Sequence, residues 1–412
     1  MKLGNAWKMA CVCGFAAAGM AVVAIAGPLT PPAGPVASTY KTLTEVEPRI
    51  AVQSLSGGSG FMYIIAQPGS YYLTGNITGP GSGIRGIAVA APNVTIDLNG
   101  FTMDGGGVGD DAIYALSGSS DGLTVRNGTI SNWVKEGVDG FFAAGCRLQS
   151  LQVRNSVAGY GVVTGPGSII SDCSVLGSAV GIVTTEDSTV QDCVAKGNVS
   201  GGIWLGSGST ATRCIASGST TSPANGFQAG NGCTLVDCTA RANNGYGIDA
   251  GNDCTITGCT AVSNMNGIRV AAGGTIDACT AARNTSAHGI IALNGGTTIR
   301  GCTATGNAGD GIRAGSGCLV LANTCTANGP VLPAGGSGIF TTGNGARVEG
   351  NITTGNYYGV ALNGTNNFMV RNLSTGNTGG PNQIIAGNKP AQIINNPASL
   401  FVSTDPWSNV QY

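Results

Sequence analysis

The sequence predicts an all-β protein: a single parallel β-helix of about thirteen coils, closed by a cap at each end. Three observations carry this expectation. A glycine followed by an apolar residue recurs at Gly161-Val162, Gly181-Ile182, Gly202-Ile203, Gly226-Phe227, Gly247-Ile248, Gly267-Ile268, Gly289-Ile290, Gly311-Ile312, Gly338-Ile339 and Gly359-Val360, at spacings of 20, 21, 24, 21, 20, 22, 22, 27 and 21 residues. Cys173, Cys193, Cys214, Cys238, Cys259, Cys279 and Cys302 drift in step with it, and Asn198, Asn243, Asn264, Asn284 and Asn307 each stand five residues after one of these cysteines. Inside each unit the apolar residues alternate, as in Thr255-Ile256-Thr257, which is the period of a strand buried on one face. Units of about 20–25 residues hold two or three short strands and leave no room for a crossover helix, so each unit is one coil.

From the N-terminus, Lys2 and Lys8 precede an apolar run to Ala26, and Ala24-Ile25-Ala26 before Gly27 fits a signal-peptidase site. Residues 1–26 therefore read as an export signal, with a retained anchor as the alternative because the run is long. Pro28, Pro31, Pro32 and Pro35 make residues 27–48 a stiff linker. Residues 49–382 form the solenoid. The aromatic stretch from Phe61 to Gly75 is expected to plug its first coil, and less regular coils begin near Gly86, Ala112 and Gly137. Residues 383–412 lose the repeat, carry Phe401, Trp407 and Tyr412, and read as the second cap. At the strand spacing of ~4.8 Å the stack is on the order of 60 Å long.

Composition narrows the partners. The 412 residues include 19 Lys+Arg, 20 Asp+Glu and one His, for a net charge of −1. With no basic run, nucleic acid and an anionic membrane surface are excluded. Gly, Asn and Ser interrupt every later apolar run, so no membrane span is expected in the mature chain, which is read as a monomer. Inward cysteines serve as small apolar residues, with a Cys233–Cys254 bridge as the alternative. Stacked asparagines hydrogen-bond along a buried corner.

The run Asn93-Val94-Thr95-Ile96-Asp97-Leu98-Asn99-Gly100, the entry Pro68-Gly69-Ser70-Tyr71-Tyr72-Leu73 and the Gly-Ile/Cys-Thr-Ala/Asn coil resemble the secreted right-handed parallel β-helix proteins of the pectin-lyase-like superfamily, from about Ile50 onward. The resemblance implies a right-handed coil and extracellular polysaccharide as partner. It leaves the activity open, because lyases, hydrolases, uronate epimerases and adhesins share the scaffold.

Alternation turns two outward positions per coil into rows. One row reads Val183, Trp204, Gln228, Asp249, Arg269, Ile291, Arg313, Phe340, and the other Val180, Gly201, Asn225, Tyr246, Asn266, His288, Asp310, Ser337, Tyr358. His288 beside Asp310 suits a proton-transfer group with its orienting carboxylate, Tyr246 an acid, and Arg269 with Arg313 a clamp on a uronic-acid carboxylate. Trp204, Gln228, Asp249, Asn266 and Phe340 are expected to touch the sugar chain. Insertions at 217–225 and 329–337 precede these strands and are expected to wall the patch. Asp172, Asp192 and Asp237 form a further row that is a weak Ca²⁺ candidate, by likeness to pectate lyases, against a plain charge ladder with Arg213. Gly109-Asp110-Asp111 and Ala287-His288-Gly289 are similar to polygalacturonase motifs but stand about eight coils apart and do not meet. The reading is a secreted or cell-surface β-helix that binds polysaccharide on an exposed strand face. The alternative is a polysaccharide lyase or uronate C5-epimerase.

Overall fold

A computed structural model describes residues 49–329, 335–395 and 405–411. The signal and linker segments, most of the 329–337 insertion and part of the C-terminal cap lie outside these residues. Among the described residues one sheet has fifteen parallel strands, one per coil, and a second set of thirty strands supplies the other sides. The fifteen number the layers used below. They begin with Phe61–Ile65, Arg85–Val89, Ile113–Ala115, Val138–Gly140 and Tyr160–Thr164, and continue with Val180–Thr184, Gly201–Leu205, Asn225–Ala229, Tyr246–Ala250 and Asn266–Val270. Ile290–Ala292, Ile312–Ala314, Ser337–Thr341, Tyr358–Leu362 and Gly380–Ile384 complete them.

There are two more coils than the sequence count: the first comes from the segment read as a plug, and the last, Gly380–Ile384, straddles the expected solenoid end at residue 382. Phe61–Ile65 pairs in parallel with Arg85–Val89, and Gly69–Tyr72 with Val94–Asp97, so the expected plug is the first coil itself. At the other end Gly380–Ile384 pairs with Tyr358–Leu362, and Lys389–Pro390 with Phe368–Met369, so the stacking continues past residue 382. Asn409–Gln411 then closes on Leu373–Ser374 and Ile393–Asn395.

The register follows the glycine row. Ile248, Ile268, Ile290, Ile312 and Ile339 are successive Cα partners, each 0 % exposed. The glycine before each isoleucine is required by a close approach. A Cβ at Gly247 would stand 2.6 Å from Asn264 Nδ2 and 2.9 Å from the Ala261 Cβ, and one at Gly311 would stand 2.7 Å from Asn328 Nδ2.

The expected asparagine ladder is present and longer than anticipated. Asn264 Oδ1 accepts from both the amide (3.0 Å) and Nδ2 (2.9 Å) of Asn243, and the pattern repeats through Asn284, Asn307, Asn328, Asn356 and Asn377. A second ladder, Asn323–Asn351–Asn372–Asn409, continues the cysteine row, and Cys302 donates its amide to Asn323 Oδ1. The described cysteines are all free and buried. Cys233 and Cys254 each donate to a carbonyl, of Gly206 and Gly230, at 3.1 Å, and do not bridge. Among the described residues no helix is long and apolar enough to cross a membrane.

Candidate functional site

The first outward row lies on the fifteen-stranded sheet in the expected register, Trp204, Gln228, Asp249, Arg269, Ile291, Arg313 and Phe340 being successive partners, while in the second row His288 and Asp310 stand just before the strands Ile290–Ala292 and Ile312–Ala314. The two rows do not form one cluster. Ile291, 5 % exposed, separates the polar residues into two groups.

The first group spans layers 8–10. Arg269 grips Asp249 with both Nε (2.5 Å) and Nη2 (2.6 Å) and lies 4.5 Å from the Tyr246 ring centroid. Asn225 Nδ2 adds a bond of 3.3 Å to Asp249 while its Oδ1 accepts the Tyr246 amide. The expected pair of arginine clamps is therefore reduced to Arg313, because a bidentate carboxylate already occupies Arg269. Gln228 is exposed beside this group and Asn266 half-buried next to it.

The second group lines a cleft of about 400 Å³ in layers 11–15, with His288, Asp310, Arg313, Ser337, Phe340, Tyr358 and Gln383 on its walls. Asp310 is held from two sides, since its Oδ1 accepts the Ser337 amide at 2.8 Å and its Oδ2 lies 3.2 Å from His288 Nδ1. His288 Nε2 is 3.1 Å from Arg313 Nη1, and Nδ1 is 3.0 Å from the Asp310 amide nitrogen. A neutral ring has one bare nitrogen and accepts one of these two donors at a time; a protonated ring accepts neither. Burial, and then the Arg313 charge, accordingly push His288 down to about 4, and burial raises Asp310. Arg313 reaches both His288 and Asp310 (3.6 Å) through Nη1 and stacks 5.2 Å from the Phe340 centroid, so its Nε and Nη2 keep donors for a ligand.

A third group, in layers 2–5, lay beyond the rows read from the sequence. Arg85, Asp111, Glu136 and Tyr160 extend the second row, and Tyr114 and Asp139 the first. Asp111, 1 % exposed, accepts from Arg85 Nε at 2.5 Å and from the Glu136 amide at 3.1 Å. Lys135 and Arg85 hold Asp110 at 2.9 and 3.2 Å. Burial, followed by the Asp111 side chain, raises Glu136 to about 8. The signal was present: the residue before Gly86-Ile87, Ala112-Ile113 and Gly137-Val138 is charged each time.

Asp172, Asp192 and Asp237 prove to be left-handed corner residues, with φ of 55°, 54° and 53°, each preceding an inward cysteine. Asp192 is engaged by Arg213 at 2.7 and 2.8 Å. Among the described residues no three His, Cys, Asp or Glu side chains gather as a metal centre.

Comparison with known proteins concerns the scaffold. The A-module of the mannuronan C-5 epimerase AlgE6 of Azotobacter vinelandii aligns with 82% of this chain and 92% of its own, at 16% identity and a TM-score of 0.42. The periplasmic alginate epimerase AlgG aligns at 12% identity over 79% of this chain and 77% of its own, with a TM-score of 0.41. Tailspike protein 3 of bacteriophage CBA120 aligns at 13% identity over 88% and 64%, with a TM-score of 0.40. No curated protein sequence matches. The family described as right handed beta helix region matches residues 85–235 and 225–378, more than half of the sequence, in the segment where the layers stack. The chain belongs to this right-handed β-helix family.

Proposed function

We propose that the outer face of the fifteen-stranded sheet binds extracellular polysaccharide and seats one sugar unit in the cleft between His288 and Tyr358. The observation that carries the reading is the cleft itself, where a guanidinium with uncommitted donors stands beside two aromatic rings, Phe340 and Tyr358. Sugars offer hydroxyl acceptors and an apolar C–H face, and this wall offers a partner to each. Calorimetric titration of the purified protein with a polysaccharide panel tests it. Arg313→Ala and Phe340→Ala are each expected to weaken binding about tenfold with the fold intact; unchanged affinity in both variants sinks the assignment.

One observation favours a second reading, proton transfer at a sugar carbon beside a carboxylate, as in a lyase or C5-epimerase. His288 is neutral at neutral pH and stands within reach of Asp310 and Arg313. On this reading C5 proton exchange in D₂O, or absorbance of an unsaturated product, appears with uronans. Its rate rises with pH through about 4, where the ring loses its proton, and levels off above. A rate unaffected by His288→Ala removes that residue from the chemistry.

A further inference from the structure

Beyond the cleft, the outward residues of the sheet follow a period of four layers. Phe61 and Tyr114, in layers 1 and 3, lean together to a centroid distance of 6.2 Å, with Arg85 of layer 2 between them, 5.7 and 4.4 Å from the two rings. Tyr160 and Trp204, in layers 5 and 7, close to 6.5 Å over Val180 and Val183 of layer 6. Tyr246 of layer 9 and Arg269 of layer 10 stack at 4.5 Å. Ring platforms, their planes tilted to each other by 35° and 57°, are thus centred on layers 2 and 6, and a third, Tyr246 with Arg269, lies at layers 9 and 10. The layers between them carry hydrogen-bonding pairs: Glu136 and Asp139 in layer 4, Asn225 and Gln228 in layer 8, Asp310 and Arg313 in layer 12. The Trp204 indole covers Gly201, where any Cβ would collide with its buried ring nitrogen, and the side chain stays partly exposed.

Layers repeat every ~4.8 Å, close to the rise of one hexopyranose in an extended β-1,4-linked chain. In a two-fold ribbon of such sugars, alternate units are flipped, so units four apart present the same face. A chain of three-fold or curved form does not keep that phase over four units. In layers 2–4 Arg85 and Lys135 are already taken by Asp110 and Asp111, with the carboxyls of Glu136 and Asp139 beside them, so no surplus cation is left there to hold a polyanion.

The geometry points to an uncharged, extended β-1,4-linked hexopyranose chain lying lengthwise on the sheet, one sugar per layer, stacking on the ring platforms and ending in the cleft. This rests on the polysaccharide-binding reading above and assigns the ligand's class and path. The test is calorimetry on the purified protein with cellotriose, cellohexaose, maltohexaose and a β-1,4-mannuronate hexamer. A hexamer reaches two platforms and a trimer one, so cellohexaose is expected to bind about tenfold more tightly than cellotriose and than either other hexamer. Trp204→Leu keeps an apolar cover over Gly201 but removes the indole; it is expected to cost about tenfold in cellohexaose affinity without shifting the melting temperature. Equal affinity for trimer and hexamer, or a Trp204→Leu protein that binds as wild type while Arg313→Ala does not, overturns the path and leaves the cleft reading standing. Tighter binding of the mannuronate hexamer overturns the uncharged assignment. Failure of all four to bind, while another member of the polysaccharide panel does, overturns the assigned class and path and leaves the cleft reading standing; failure of the whole panel removes both.

Discussion

The early and middle coils fill the same internal corner by different means. In layer 5 Gly161 faces Val175 and Ser178, whereas in layer 9 Gly247 faces Ala261 and Asn264. The inward row passes through Met103, Ile130, Val153 and Val175, then becomes alanine at Ala195, Ala216, Ala240, Ala261, Ala281 and Ala304. Aliphatic carbon is exchanged for a side-chain amide at nearly constant volume, as close packing demands. The exchange alters what each corner must satisfy. Ser156, Ser178 and Ser219 leave their hydroxyls unpartnered, while from Asn243 onward each amide both accepts from one neighbour and donates to the next. Asn198 stands between the regimes: its Oδ1 accepts the Ser178 amide at 3.0 Å, and its Nδ2 has no partner because Ser219 follows.

Breaking the ladder has the largest expected effect. Asn264→Ala orphans the Asn243 backbone amide and one of its two Nδ2 hydrogens, the other staying on the Ala216 carbonyl, and should lower stability by about 2–4 kcal/mol in chemical denaturation, with hydrogen-exchange protection lost first in layers 8–10. A loss no greater than that of Ser219→Ala would show that the corners do not differ energetically. Next comes Ser219→Asn, which extends the ladder to Asn198 in a layer already lined by Ala216 and Gly202. It is expected to gain about 1 kcal/mol, and the gain should vanish when Asn198 is changed to Ser, a coupling that a double-mutant cycle measures. At the small end, Asp192→Asn keeps a residue that tolerates the left-handed corner and removes only the exposed ion pair with Arg213. Its denaturation midpoint should coincide with that of wild type.

The charged ends of the outer face differ as well, and pH separates them. His288 is depressed to about 4 from 6.5, so its contribution is present above the unfolded value and is lost as pH falls through the window between them. Glu136 is raised from 4.5 to about 8, so its contribution is present at low pH and lost as pH rises toward 8. Glu136→Gln should therefore flatten the alkaline limb of a melting-temperature profile and leave the acid limb in place. An unchanged alkaline limb would mean that its carboxyl is ionised in the folded protein.

Much of this was legible because a solenoid converts sequence period into spatial adjacency. The placement of Ile248 behind Ile268, and of His288 beside Asp310, follows from counting alone. The reading faltered where a row changes residue type without changing position. The cysteine row becomes Asn323, Asn351 and Asn372, so a mark defined by cysteine ends at Cys302 although the row continues. The capture of Arg269 by Asp249 depends on side-chain reach between neighbouring layers, which alternation does not encode. The coils before Gly161 carry Glu136 and Asp111, but their irregular spacing hid rows that the glycine-apolar mark already placed.

The doubly bonded asparagine has a consequence for how such a chain varies in length. Each internal rung offers upward the same amide that it receives from below, so excising or duplicating one whole coil between Asn243 and Asn328 would rejoin compatible surfaces and strand no donor. The molecule is in this sense modular, its reach adjustable in steps of a single turn, and the outer pattern rather than the interior decides which lengths are useful.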